Sequence, residues 1–135
     1  MIANPPKVLT LHLKRFEQVE SRRSTVLQKI SQHVEFPAEL DMAPFVSREA
    51  ALRHWDKVQD NGGEVPSEVL YSLRGVVEHS GSLNGGHYVA YVRPRGSKLS
   101  AEEDEWYCIS DGQVRNISLD QVLRANAYIL FYEQC

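Results

Sequence analysis

The chain has 135 residues, enough for one domain or a large piece of one and too few for two. Hydrophobic residues at 42% and charged residues at 24% are ordinary globular usage, which excludes a disordered chain. A net charge of −3 with no dense Lys/Arg stripe excludes a nucleic-acid or membrane-surface binder, and no run of about 18 apolar residues offers a membrane span.

The opening Met1–Pro6 lacks the plan of a secretory signal. In Val8–Phe16, Leu9, Leu11 and Leu13 alternate with Thr10, His12 and Lys14, which predicts a strand entered from Pro5-Pro6. Residues 17–29 are polar and read as a long hairpin connection or mobile loop, with Ile30–Phe36 as the return strand. Residues 36–45 carry two prolines and predict an ordered, irregular crossing. Ser47 then caps a predicted helix with Leu52, Trp55 and Val58 on one face, ended by Asp60-Asn61-Gly62-Gly63.

The second half predicts an antiparallel meander. Val69–His79 is a strand, Gly81–Gly86 a glycine-rich turn, and His87–Arg93 a strand stopped by Pro94. An acidic loop, 95–105, leads to a hairpin of Trp106–Ile109 and Gln113–Ile117 around Ser110-Asp111-Gly112. Ser118-Leu119-Asp120-Gln121 has capping-box spacing for a short helix, and Ala127–Tyr132 is a last apolar strand. The expected class is α+β, dominated by an antiparallel sheet.

His87 follows two glycines at the start of a strand, where a backbone or narrow ligand can approach closely. A histidine there can act as a general base, but on these residues alone a packed histidine with a satisfied hydrogen bond is the commoner case. A base needs an orienting partner, and Ser110-Asp111 is the expected source. Strand alternation predicts that the two do not both face the imidazole. No nucleophile accompanies them: Cys108 lies mid-strand and reads as a small core residue, and Cys135 is the last residue. Two cysteines without CxxC spacing predict neither a disulfide framework nor a structural zinc site.

The strings Val-Leu-Thr-Leu-His-Leu-Lys-Arg-Phe (8–16), Phe-Pro-x-x-Leu-Asp (36–41), Tyr-Ser-Leu-Arg-Gly-Val-Val-Glu-His-Ser-Gly-Ser-Leu-Asn-Gly-Gly-His-Tyr-Val-Ala-Tyr (71–91), Trp-Tyr-x-Ile-Ser-Asp (106–111) and Ala-Tyr-Ile-Leu-Phe-Tyr-Glu (127–133) resemble the C-terminal half of the ubiquitin-specific protease catalytic domain. The likeness covers 1–135 except a variable insertion at 46–68. It implies the palm portion of a papain-like cysteine protease, which cleaves the isopeptide bond after the ubiquitin C-terminal glycine. By this resemblance His87 is the general base, Ser110 stands where the family usually has Asp or Asn, and Asp111 is the acidic residue beside it. A serine supplies no negative charge, so whether Ser110 or Asp111 orients His87 stays open. Phe16, His79, Gly85, Gly86 and Tyr88 match positions binding the ubiquitin tail, between mobile loops at 17–29 and 80–86.

The family's Gly-Asn-x-Cys nucleophile box and paired-CxxC zinc fingers do not occur in these residues. The resemblance therefore implies a fragment that is inactive alone, needs no metal or cofactor, and has as partners ubiquitin, ubiquitinated proteins and the missing N-terminal half of the domain. It implies cytoplasmic or nuclear residence. The rival expectation is a non-catalytic ubiquitin-binding or scaffold module, against which the intact His87 and its glycines speak.

Overall fold

The computed structural model describes residues 1–21, 24–47, 69–82, 85–94 and 105–135. Nine strands form among them. A seven-stranded sheet has the order β1-β9-β5-β6-β7-β8, with β4 pairing β5 off this path, and β2 and β3 make a separate two-stranded sheet. The strands are β1 (Val8–His12), β2 (Phe16–Ser21), β3 (Ser24–Lys29), β4 (Glu39–Asp41), β5 (Leu70–Ser82), β6 (Gly85–Val92), β7 (Trp106–Ser110), β8 (Gln113–Ile117) and β9 (Ala127–Gln134). One short helix, α1 (Leu119–Leu123), precedes β9. The α+β, sheet-dominated class read from the sequence is the class observed. No helix among the described residues is long and apolar enough to cross a membrane.

Contacts divide the chain into two compact units. The first holds Met1–Leu9, Pro37–Leu73 and Tyr132–Cys135. Its buried residues include Leu9, Met42, Val46, Tyr71, Leu73 and Tyr132. Buried hydroxyls here find backbone partners: Tyr71 donates to the Pro6 carbonyl at 2.5 Å and Tyr132 to the Pro37 carbonyl at 2.7 Å. Burial lifts the Tyr132 phenol to about 12. Asp41 Oδ1 accepts from Ala43 N and Val69 N, both at 2.9 Å, closing β4 onto the start of β5 and holding its carboxyl below the usual range. The crossing at 36–45 is thus ordered, and it contains one short strand and a 3-10 turn, Ala43–Phe45. The helix predicted from Ser47 and the insertion beyond residue 47 lie outside the described residues.

The second unit, Thr10–Phe36 and Arg74–Phe131, carries the meander β5-β6-β7-β8. Trp106, Val76, Cys108, Val122, Ala127 and Leu130 are among its most deeply buried residues. The capping box at Ser118 forms as its spacing predicts: Ser118 Oγ accepts from Gln121 N, and Gln121 Oε1 accepts from Ser118 N.

Two expectations are corrected here. Residues 17–29 are mostly a β2–β3 ladder running from Phe16↔Lys29 to Ser21↔Ser24, and the return strand is Ser24–Lys29, not Ile30–Phe36. The physical reason is Arg15. Its guanidinium, 3% exposed, donates to the carbonyls of Ile30 (3.0 Å), Gln32 (2.7 Å) and Ala127 (2.5 Å), so the backbone at 30–32 is held by a side chain instead of a ladder. Secondly, Gly81, Ser82, Gly85 and Gly86 are strand residues, because β5 and β6 pair through Ser82↔Gly85. Gly81 is permitted there by φ +95°, a conformation L side chains rarely adopt.

Candidate active site

His87 stands near the start of β6, paired across the ladder with Ser80. Its side chain is 44% exposed. Nε2 lies 2.7 Å from Ser110 Oγ at the end of β7, a hydrogen bond of good length. Nδ1 lies 3.9 Å from Asp111 Oδ2, close enough for electrostatics and too far for a hydrogen bond. With the ring proton on Nε2, the imidazole donates to Ser110 and presents the Nδ1 lone pair outward. That is the arrangement of an oriented base.

The β7–β8 hairpin explains how both neighbours reach the ring. Ser110 pairs with Gln113, leaving Asp111-Gly112 as a two-residue loop. Asp111 has φ +50°, a left-handed conformation that aspartate tolerates. Alternation between faces therefore stops at Ser110. The expectation that only one of the pair could face His87 is corrected: Ser110 approaches one nitrogen from the strand, and Asp111 the other from the turn. Asp111 is 86% exposed.

The residues matched to tail binding form a second cluster. His79 pairs with Tyr88 across β5–β6, their rings 4.7 Å apart, and Phe16 packs edge-on to His79 at 5.7 Å. Alternation along β6 puts Tyr88 on the face opposite His87. Tyr88 is 58% exposed while His79 is 6% exposed, so the cluster has a buried wall and an open rim. His79 Nδ1 has no hydrogen-bond partner among the described residues. The two glycines are not equivalent. A Cβ on Gly86 would collide with the His79 ring and come within 2.6 Å of the Ser80 carbonyl, whereas one on Gly85 meets nothing within 4 Å. Close packing against His79 is what requires a glycine, and it requires only Gly86.

Sequence reasoning missed Tyr128. Its ring lies 6.0–6.4 Å from His79, Phe16 and Tyr88 and 4.7 Å from His12, and its only signal was its place in the apolar run at 127–132. It also missed a cavity of about 240 Å³ on the His87 face, lined by Val89, Tyr91, Cys108, Ser110, Gln113 and Arg115. Cys108 is free and buried, as its mid-strand position suggested, and Arg115 stands opposite it across the β7–β8 ladder, where the neighbouring sulfur raises the arginine's pKa. Tyr91 donates to Glu78 Oε2 at 2.8 Å, and burial together with that carboxylate raises its pKa.

Comparison with known proteins gives these features a lineage. The family model described as ubiquitin carboxyl-terminal hydrolase matches residues 1–132. Ubiquitin carboxyl-terminal hydrolase 45 of Danio rerio is 42% identical over 149 residues, covering 99% of this chain and 17% of that protein. Ubiquitin carboxyl-terminal hydrolase 1 of Arabidopsis thaliana is 40% identical, covering 99% of this chain and 11% of its own length. Among solved structures, the SAGA DUB module of Ubp8, Sgf11, Sus1 and Sgf73 bound to monoubiquitin aligns with a TM-score of 0.72 at 32% identity, over 96% of this chain and 24% of that one. The chain thus spans about a sixth of the first curated relatives and about a quarter of the structural one. The class is the sheet-dominated part of a papain-like hydrolase catalytic domain. Within it, the chain belongs to the ubiquitin carboxyl-terminal hydrolase family.

Proposed function

We propose that this chain is the histidine-bearing part of a deubiquitinating thiol protease, and that His87 is its general base. The observation that supports this most is the division of labour on one ring: Nε2 engaged by Ser110, Nδ1 open beside Asp111. The nucleophile comes from polypeptide outside these residues. Neither cysteine sulfur here lies within hydrogen-bonding reach of the imidazole, and Cys108 is buried against Arg115.

In this reading His87 Nδ1 takes the proton of the incoming thiol, and the thiolate attacks the carbonyl of the ubiquitin C-terminal glycine. The imidazolium then returns the proton to the leaving lysine amine. Water, deprotonated by the same nitrogen, resolves the thioester to free carboxylate and thiol. Ser110 holds the ring's orientation by accepting Nε2–H, and Asp111 favours the charged ring from the turn. Phe16, His79, Tyr88 and Tyr128 grip the tail ending in two glycines, with Gly86 keeping the wall flat. Ubiquitin and its conjugates are the partners. The neutral Ser110 is the one feature that also suits the rival reading, a ubiquitin-binding module without turnover.

The test is hydrolysis of a ubiquitin–fluorophore conjugate by the full-length protein that carries this chain, with the 135-residue chain alone as an inert control. His87→Gln is expected to lower kcat/KM by about 10³-fold. Ser110→Ala removes a hydrogen bond to a charged ring, worth about 1.5–3 kcal/mol, a ten- to hundredfold loss. Asp111→Asn, at an exposed site, is expected to cost about threefold or less. A His87→Gln enzyme as active as wild type removes the proposal.

A further inference from the structure

The cavity beside Ser110 is rich in donors and short of an acceptor. Register places two rows of side chains on its face: Val89, Ser110 and Gln113 in one, Tyr91, Cys108 and Arg115 in the next. Arg115 is exposed and has no carboxylate within salt-bridge reach among the described residues. The Gln113 amide makes no hydrogen bond among them either. The carboxylate that register puts on this face, Glu78, is already engaged by the Tyr91 hydroxyl at 2.8 Å and the Asn126 N–H at 3.2 Å. Ser110 accepts from His87 Nε2 in the orienting tautomer, which leaves its own O–H to donate elsewhere. Three groups that can only give, or have a proton left to give, thus line one small space: a guanidinium fork, an amide and a hydroxyl.

We infer that this cavity binds a carboxylate, held by Arg115 and Gln113 and accepting the Ser110 O–H, so that a negative charge acts through Ser110 on Nε2, the side of the ring that Asp111, beside Nδ1, does not reach. The inference rests on His87 acting as the base. A guanidinium fork matches a carboxylate in bidentate geometry, and a space of about 240 Å³ holds acetate or formate with room for water. Polarisation passes along the chain of bonds: an anion on the Ser110 proton makes Oγ a better acceptor for Nε2–H, which stabilises the imidazolium. The carboxylate is that of a free small acid.

The experiment uses the full-length protein with two readouts at constant ionic strength: hydrolysis of a ubiquitin–fluorophore conjugate, and the ring ¹⁵N signals of His87, assigned with His87→Gln. Acetate, formate, chloride and inorganic phosphate are titrated separately. The expected result is a saturable rise in kcat/KM of up to about tenfold and a matching shift of Nε2 with acetate and formate alone, as a charge-assisted hydrogen bond allows. Both are lost in Arg115→Gln, and Ser110→Asp, which carries its own carboxylate, does not respond. The inference is overturned if chloride or phosphate acts as acetate does, if the response survives Arg115→Gln, or if acetate changes neither readout. The two proposals fail separately. An Arg115-dependent shift without any hydrolysis removes the protease reading, and hydrolysis with no cavity response removes the carboxylate.

Discussion

One imidazole is flanked by two consecutive residues that approach it along different paths, one bonding it and one acting through its charge, and a single backbone angle makes this possible. Asp111 at φ +50° turns the chain so that its carboxylate comes back toward Nδ1 while Ser110 keeps Nε2. A few ångströms away, glycine matters through what it lacks. Gly86→Ala is expected to destabilise the protein by about 1–3 kcal/mol, since its Cβ must displace the His79 ring and the Ser80 carbonyl. Gly85→Ala, with open space around it, should change stability by less than about 0.5 kcal/mol. Thermal unfolding of the two variants side by side checks this. Equal effects would mean that the glycine pair acts through chain flexibility instead of packing.

Among the elements, the β2–β3 hairpin is the least self-sufficient. A two-stranded ribbon is marginal in water, and this one leaves Val19, Val26 and Leu27 exposed. Its root is fixed instead by Arg15, through three carbonyls, and by Lys29 Nζ, which donates to the His79 carbonyl at 2.6 Å. Arg15→Met should cost about 2–4 kcal/mol and strip hydrogen-exchange protection from 16–21 and 24–29 before β5 and β6 are affected. Uniform loss of protection would contradict a local anchor. A second element, the β4–β5 closure, carries a pH signature. The Asp41 carboxyl is held below its ordinary 3.8 by two backbone N–H groups. A depressed carboxyl contributes stability that is fully present above 3.8 and is lost as pH falls through the lowered value. The gap in Tm between wild type and Asp41→Asn should therefore be widest near neutrality and shrink as pH falls below 3.8. A gap independent of pH would place the effect in packing.

At the scale of the molecule, what could be read from the sequence was whatever the core enforces. The alternation of Leu9 and Leu11, the apolar strands at 69–79 and 127–132, the Asp-Gly hairpin and the Ser118 capping box each obey one local rule, and each is where that rule puts it, whereas the strand predicted over Val8–Phe16 stops at His12 and leaves Leu13 beyond it. His87 and its two hairpin-tip neighbours were legible too, because glycines, a strand start and a turn mark them in the text of the chain. The failures share a different cause. Residues 17–20 and 24–29 have no buried face and hence no apolar period, so a ladder fixed by the buried Arg15 reads as loop. Tyr128 and the Arg115 cavity arise from register between strands, which no single segment encodes.

The proposed role of His87 is that Nδ1 removes a thiol proton. The most direct measurement is the pH profile of kcat/KM for ubiquitin–fluorophore hydrolysis by the full-length protein, wild type against His87→Gln. The account predicts a plateau near neutral pH in wild type. In the variant it predicts a rate about 10³-fold lower that climbs with hydroxide, because solvent must then ionise the sulfur unaided. A variant that keeps the plateau, within about tenfold of wild type, would contradict it.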